Sequence, residues 1–258
     1  IGISALMKLA LDRGAIVSGC DLKINSTTEN LNSQNVPVHI GHSPSHIHEQ
    51  DIIVYSSAIP ALNLELQFAR ETGVECLPRS SMLRILQEGS KLIGVTGSHG
   101  KTTTTGLISH IFIKNNFDPN VAIGGICASL DDKNFHIGKP EWFVSELDES
   151  DGSMLDCTPL VGIITNIDRE HVDYYGDMQK LKEAFYQFVK CIQANGCLVI
   201  CNDDPFAREL ADQLLNNKKV IRYGFGEGCE YQARNVVFHK THTEFDLVAR
   251  DCQWHVDI

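Results

Sequence analysis

The stretch GVTGSHGKTTTT, from Gly94 to Thr105, holds the residues best suited to chemistry. A phosphate-binding loop needs a strand end, a tight glycine turn whose backbone N–H groups face the anion, and a helix N-terminus behind it. Gly97 and Gly100 let the backbone approach phosphates, Lys101 sets a positive charge on them, and the Thr102 hydroxyl is of the type that ligates Mg2+. Val95 stands where the longer Walker pattern has its outer glycine, which shortens the motif without removing a working part. The plainer alternative, that Gly-Lys-Thr merely opens a helix, leaves the preceding strand unexplained.

Mg2+ needs more oxygen ligands than one threonine supplies, so acidic residues should arrive on neighbouring strand ends. The segment FVSELDESDGS brings Glu146, Asp148, Glu149 and Asp151 as a buried strand finishes. Taken singly, Asp148, Glu149 and Asp151 read as a solvated acidic loop. Glu146 still lies within the strand pattern, where a carboxylate is costly unless paired or on a metal. The next strand runs into TNIDREHVDYYG, with His171 and Asp173 beyond its end; a metal or phosphate role for His171 stands level with an ordinary surface histidine. A second histidine group, HIGHSPSHIH, places His39, His42, His46 and His48 close together, but no cysteine or carboxylate sits at ligand spacing, and a polar loop is the expectation. Cys197 and Cys201 fall on one strand face and read as buried thiols.

These residues require an alternating α/β frame. Helical spacing of Leu6, Met7, Leu9 and Ala10 predicts a helix over residues 4–13, followed by a strand, AIVSGCD, with Asp21 at its carboxyl end. A short apolar run at 36–40, a strand from Asp51, a helix at 63–72, a strand at 74–77 and a helix at 80–87 complete a first region. EGSKL at 88–92 reads as a linker. The second region has the strand KLIGVTG, a helix from Lys101, strands at 120–123, 142–147, 160–165, 197–201 and 220–223, and helices at 180–191 and 205–215. That alternation predicts a mostly parallel sheet. After Gly228 the pattern becomes alternating and helix-free, which predicts an antiparallel meander. The opening IGISALMKLALDRG lacks a signal-peptide pattern and starts as a helix, so a strand with a glycine-rich turn is expected before residue 1 and the chain is read as a piece of a longer one.

Length and composition fit this frame: 258 residues allow two domains, and 43% hydrophobic with 21% charged residues is a globular balance. A formal charge of -11 argues against nucleic acid, whose binding is driven by clustered Lys and Arg. No apolar run has the roughly 18–20 residues of a membrane span. Nine cysteines, an odd number with no CxxC pair, point to a reducing cytoplasm rather than a disulfide framework.

The chain resembles the Mur ligases, the ATP-dependent amide-forming enzymes of peptidoglycan assembly, and most of all the branch that adds L-alanine to UDP-N-acetylmuramate. GSHGKTTTT, ELDESDGSML, TNIDREHVDYYGD and CNDDP carry the resemblance, with VSGCD, SSAI and RSSML in the first region, all in the family's order. The family's loop is written GxxGKT, which accounts for Val95. The resemblance implies an α/β chain with a Rossmann-like UDP-sugar-binding domain at 1–88. A P-loop ATPase-type central domain with an antiparallel β extension follows at 89–258, and a third, amino-acid-binding domain lies outside the sequence. It implies that ATP phosphorylates the lactyl carboxylate and that the acyl phosphate is attacked by the amine of L-alanine. ATP would contact Gly97, Ser98, His99, Gly100, Lys101, Thr102 and Thr103, with Lys101 on the β and γ phosphates. Thr102 and Glu146 would hold the first Mg2+ and His171 a second metal, while His99 and Asn166 would line the muramoyl and phosphate site. Gly2 would be the last glycine of a GxGGxG turn, with Asp21, Ser56 and Ser57 at UDP-site positions. Lys182 is the nearest counterpart of the modified lysine of some members and is expected to stay unmodified. The chain by itself is expected to bind ligands weakly without turnover. Three alternatives remain: the recycling ligase that adds a whole tripeptide to the same sugar, a non-catalytic nucleotide-binding module, and a metal sensor built on the histidine loop.

Overall fold

The computed structural model describes residues 2–150, 152–168, 177–214 and 218–258. In chain order its first elements are α1 (Gly2–Asp12), β1 (Gly19–Asp21), α2 (Ser26–Ser33), β2 (Val38–Ile40), β3 (Ile52–Tyr55), α3 (Leu64–Glu71), β4 (Glu75–Pro78) and α4 (Arg79–Leu86). There follow β5 (Lys91–Thr96), α5 (Lys101–Lys114), β6 (Pro119–Cys127), β7 (Lys133–His136), β8 (Lys139–Glu146) and β9 (Val161–Ile164). The last are α6 (Met178–Cys191), β10 (Cys197–Cys201), α7 (Pro205–Leu214), β11 (Lys219–Gly224), β12 (Tyr231–Phe238), β13 (Thr243–Ala249) and β14 (Cys252–Asp257). The chain divides into two compact units, Ile1–Ser90 with Gly106–Val144, and Lys91–Thr105 with Ser145–Ile258.

In the first unit, β1 pairs in parallel with β2 and β3 with β4, each pair joined through a helix in Rossmann-like fashion. Asn25 caps α2 in a capping box with Thr28, and the Asn63 side chain caps α3. β1 begins at Gly19 rather than at residue 15: its partner β2 is three residues long, and a strand persists only where a ladder partner lies alongside. α1 buries Ala5, Leu6, Leu9 and Ala10 against α4, β6 and β7. Arg13 then donates to the Leu86 and Ile85 carbonyls at the C-terminus of α4, where a cation is favoured by the helix dipole. β7 has no counterpart in the sequence reading, because Lys-Asn-Phe-His carries no strong strand signal; antiparallel pairing to β6 makes it a strand. Phe112, Phe117 and Trp142 form an edge-packed aromatic cluster in this unit.

In the second unit the strand order is β14-β13-β12-β11-β10-β9-β5. β5, β9, β10, β11 and the start of β12 are parallel, and β12, β13 and β14 form the antiparallel extension. β5 reads as a near-continuous buried run, with only Lys91 exposed, as a strand covered on both faces should. α6 buries Leu181, Ala184, Phe185, Phe188 and Val189, the i, i+3, i+4, i+7, i+8 stripe of a core-facing helix. Asp177 caps its start by accepting from the Lys180 N–H at 2.8 Å. Gly162 in β9 makes room for this packing, since a Cβ there would lie 2.6 Å from Ile192 and 3.3 Å from Phe188. Among the described residues no helix is long and apolar enough to cross a membrane.

Phe185 is wholly buried, so Phe185→Ala should cost about 3–5 kcal/mol. Urea unfolding would measure this as a lower midpoint. A loss within about 0.5 kcal/mol, the range of a surface substitution, would contradict this packing.

Candidate functional site

All the described loop residues singled out in the sequence fall in the second unit, around the turn between β5 and α5. β5 ends at Thr96, Gly97 takes φ 129° and Gly100 φ 79°, and α5 starts at Lys101. Both angles lie in the region glycine enters at no steric cost. Gly97 is also hemmed in: a Cβ there would sit 2.1 Å from Thr165 Oγ1 and 2.9 Å from the Asn166 carbonyl oxygen.

The register Thr96↔Ile164 between β5 and β9 sets residues 165–168 beside the turn. Ser98 N–H donates to the Asn166 carbonyl (3.1 Å), and the Asp168 N–H donates to Ser98 Oγ (2.9 Å). The Asn166 side chain grips His99 from both sides, accepting from its N–H at 2.9 Å and donating to its carbonyl at 3.0 Å. Thr165 Oγ1 donates to the same carbonyl at 2.6 Å. His99 Nε2 lies 3.5 Å from an Asp168 carboxylate oxygen at the surface. The turn is thereby fixed with the N-terminal N–H groups of α5, Thr102 and Thr103 among them, at the mouth of the loop, the arrangement that binds anions.

Two carboxylates meet the start of α5 from the end of β8. Thr102 Oγ1 donates to Glu146 Oε2 at 3.0 Å. Lys101 Nζ lies 2.9 Å from each carboxylate oxygen of Glu149 and donates to the Gly97 carbonyl at 2.8 Å. Glu149 is 0% exposed and the Lys101 side chain 13%, so this is a buried ion pair. The solvated-loop reading of Glu149 is therefore corrected. From Ser145 to Ser150 buried and half-buried residues alternate past the strand end, placing Glu149 on the face of Ser145 and Leu147. The residue types from Ser145 to Ser150 do not themselves alternate in polarity, so the sequence carries no local signal for it. Thr165 is a further contact at the turn for which the sequence gives no expectation. Asp148 is half-buried and accepts from the Ser150 N–H at 3.0 Å. His171, Asp173 and Asp151 lie outside the described residues.

Cys197 and Cys201, expected as buried thiols, are half-buried on β10, and the candidates that the resemblance gives to UDP belong to the first unit. Gly2 opens α1, and Asp21 closes β1 with its carboxylate accepting from Lys23 N–H at 3.1 Å. Ser56 and Ser57 follow β3, where Ser56 Oγ accepts from Ala58 N–H at 3.3 Å.

Known proteins give this site a context. Residues 95–258 match the Mur ligase middle domain, and residues 1–91 match a domain described as Mur ligase family, catalytic domain. The UDP-N-acetylmuramate–L-alanine ligase of Hydrogenobaculum sp. (strain Y04AAS1) is 40% identical over 247 residues, covering 96% of this chain and 54% of the relative. The crystal structure of UDP-N-acetylmuramate–alanine ligase from Thermotoga maritima superposes with a TM-score of 0.85 at 24% identity, over 99% of this chain and 58% of that one. The UDP-N-acetylmuramate:L-alanyl-γ-D-glutamyl-meso-diaminopimelate ligase from Neisseria meningitides gives 0.81 at 20% identity, over 97% and 82%. The chain spans about half the length of the curated relatives it matches.

Burial pushes the Glu149 carboxyl above its ordinary value of 4.5, and the Lys101 ammonium only partly opposes this. A carboxyl raised in the folded state contributes stability that is full below 4.5 and lost as pH rises through its folded value. Ligand-free wild type should thus lose stability over that rise relative to Glu149→Gln, measured by urea unfolding at a series of pH values. Parallel profiles would contradict the assignment. With the middle-domain match alone covering more than half of its residues, the chain belongs to the Mur ligase family.

Proposed function

We propose that the protein carrying this chain joins L-alanine to the lactyl carboxylate of UDP-N-acetylmuramate at the expense of ATP. The observation that carries this reading is the meeting of Lys101 and Thr102 at the start of α5 with Glu149 and Glu146 from the end of β8. The 40% identical relative that bears this activity in its name supports the choice of substrates. In the proposed reaction a carboxylate oxygen attacks the γ-phosphorus and ADP departs. The alanine amine then attacks the acyl carbon, and phosphate leaves as the amide forms. Such transfer asks the protein mainly to position groups and neutralise charge.

Each residue has a part in that scheme. The N–H groups at the start of α5, those of Thr102 and Thr103 among them, face the phosphates, and Lys101 exchanges some of its contact with Glu149 for the β and γ oxygens. The Thr102 hydroxyl beside the Glu146 carboxylate is a hard oxygen pair suited to Mg2+, which when bound would neutralise phosphate charge. His171 is assigned to a second metal and His99 to the edge of the muramoyl site. Asn166 acts there through its hold on His99. Gly2, Asp21, Ser56 and Ser57 are assigned to UDP, in a domain spanning 1–88 that precedes the ATP domain at 89–258. A cytoplasmic location accords with ATP and a nucleotide sugar as substrates. The tripeptide-adding ligase is the rival, because the Neisseria structure shares the fold as well.

In the whole protein, Lys101→Ala should lower turnover by about 10²–10³-fold or more, since transition-state charge loses a preorganised donor. Phosphate release measured with UDP-N-acetylmuramate and either L-alanine or the tripeptide checks both points. Near-normal turnover of Lys101→Ala would contradict the loop assignment, and activity with the tripeptide alone would transfer the function to the rival.

A further inference from the structure

The histidines of HIGHSPSHIH take no part in the phosphate site, yet the first unit gathers its other ligand-type side chains around them. β1 brings Cys20, the residues after β2 bring His42, a 3-10 turn at Pro44–His46 brings His46, and the first turn of α3 brings Glu65. Cys20 Sγ lies 3.3 Å from His42 Nδ1 and 3.0 Å from Glu65 Oε2, and His42 Nδ1 lies 2.6 Å from that same oxygen. His46 Nδ1 lies 2.6 Å from the other oxygen, Glu65 Oε1. Glu65 is buried, where a carboxylate is rare unless paired or on a metal. The expectation of a loop without a cysteine or carboxylate partner is corrected, because both partners come from distant parts of the sequence.

We propose that Cys20, His42 and Glu65 form a zinc site, with His46 as the residue that positions the Glu65 carboxylate. One sulfur, one nitrogen and one oxygen converge within 3.3 Å of one another. Zinc bonds of about 2.0–2.3 Å let a single ion touch all three from one side of their plane, with water in the fourth position. Thiolate with imidazole selects a borderline-soft ion such as zinc over Mg2+ or Ca2+, which take oxygen. His46 occupies Oε1 and leaves Oε2 for the ion, and its ring is stacked on His39 with centroids 4.5 Å apart.

The atoms balance without a redox partner. In the metal-free chain the Cys20 thiol is held up to about 12 by burial and by Glu65, and donates to the carboxylate. Zinc entry forms the Zn–S bond and releases that proton to solvent, and the neutral His42 ring shifts its proton from Nδ1, where it meets Glu65, to Nε2 so that Nδ1 can coordinate. The ion would tie β1, the loop after β2 and the start of α3 together, a role separate from phosphate transfer. The other cluster of this kind among the described residues, His239, His242 and Glu244, has no thiol and an exposed His239.

Metal-stripped protein titrated with Co2+ and then Zn2+ tests the site. The expected result is one Co2+ per chain with sulfur-to-cobalt charge-transfer absorption, abolished by stoichiometric Zn2+. Alkylation with peptide mapping should find Cys20 protected by Zn2+. Cys20→Ser should lose the charge-transfer band. His46→Ala should keep it while weakening zinc binding about 10–100-fold, as loss of an orienting partner does. Absence of the band in wild type, its persistence in Cys20→Ser, or equal Cys20 labelling with and without Zn2+ would overturn the proposal. The wild-type spectrum and labelling do not depend on a variant folding.

Discussion

The proposed phosphate site depends on how the carboxyl end of β9 grips the turn before α5. A glycine turn is by nature the freest part of a chain, and an anion site needs its N–H groups held in one direction. Asn166 supplies that constraint by bonding both the N–H and the carbonyl of His99, and Thr165 and Ser98 close the remaining gaps. The backbone polar groups on the inner side of the turn are thus engaged, and those at the start of α5 are left for a ligand. The same contact explains Gly97, whose missing Cβ is the space in which the Thr165 hydroxyl lies.

Electrostatics follow from this geometry. A lysine at the base of such a loop must be partly desolvated to act strongly on phosphate, and a desolvated ammonium needs a counter-charge when no phosphate is present. Glu149 serves as that counter-charge from a fully buried position, at the cost of a carboxyl pushed above its ordinary range. Glu146, three residues earlier and on the opposite side of the alternation, meets the Thr102 hydroxyl instead. One strand end therefore supplies a partner for the lysine and an acceptor for the Thr102 hydroxyl.

Much of this was legible in the residues. Gly97, Gly100, Lys101 and Thr102 announce their chemistry because the motif is local, and Glu146 was singled out because a carboxylate in an apolar strand needs a reason. α6 was legible from its apolar stripe, and the meander from its alternation. Glu149 is not legible because its burial comes from the chain's path past the strand end, where Asp148, Glu149 and Ser150 are all polar. Thr165 and the zinc-type cluster were hidden because they depend on partners 66 residues away and 22–45 residues away, distances that no local pattern encodes. β7 and the short β1 depart from the sequence expectation because strand extent is decided by the partner rather than by propensity.

The two units thus carry distinct polar centres, a glycine turn built on parallel strand ends and a thiol–imidazole–carboxylate cluster joining three elements. In the proposed function, the grip of Asn166 on His99 makes the loop competent for nucleotide. Calorimetric titration of this chain and its Asn166→Ala variant with Mg-ATP tests it most directly. The variant's affinity should be lower by about tenfold or more, roughly 1.4 kcal/mol, with the chain still folded. Equal affinities in the two proteins would contradict it.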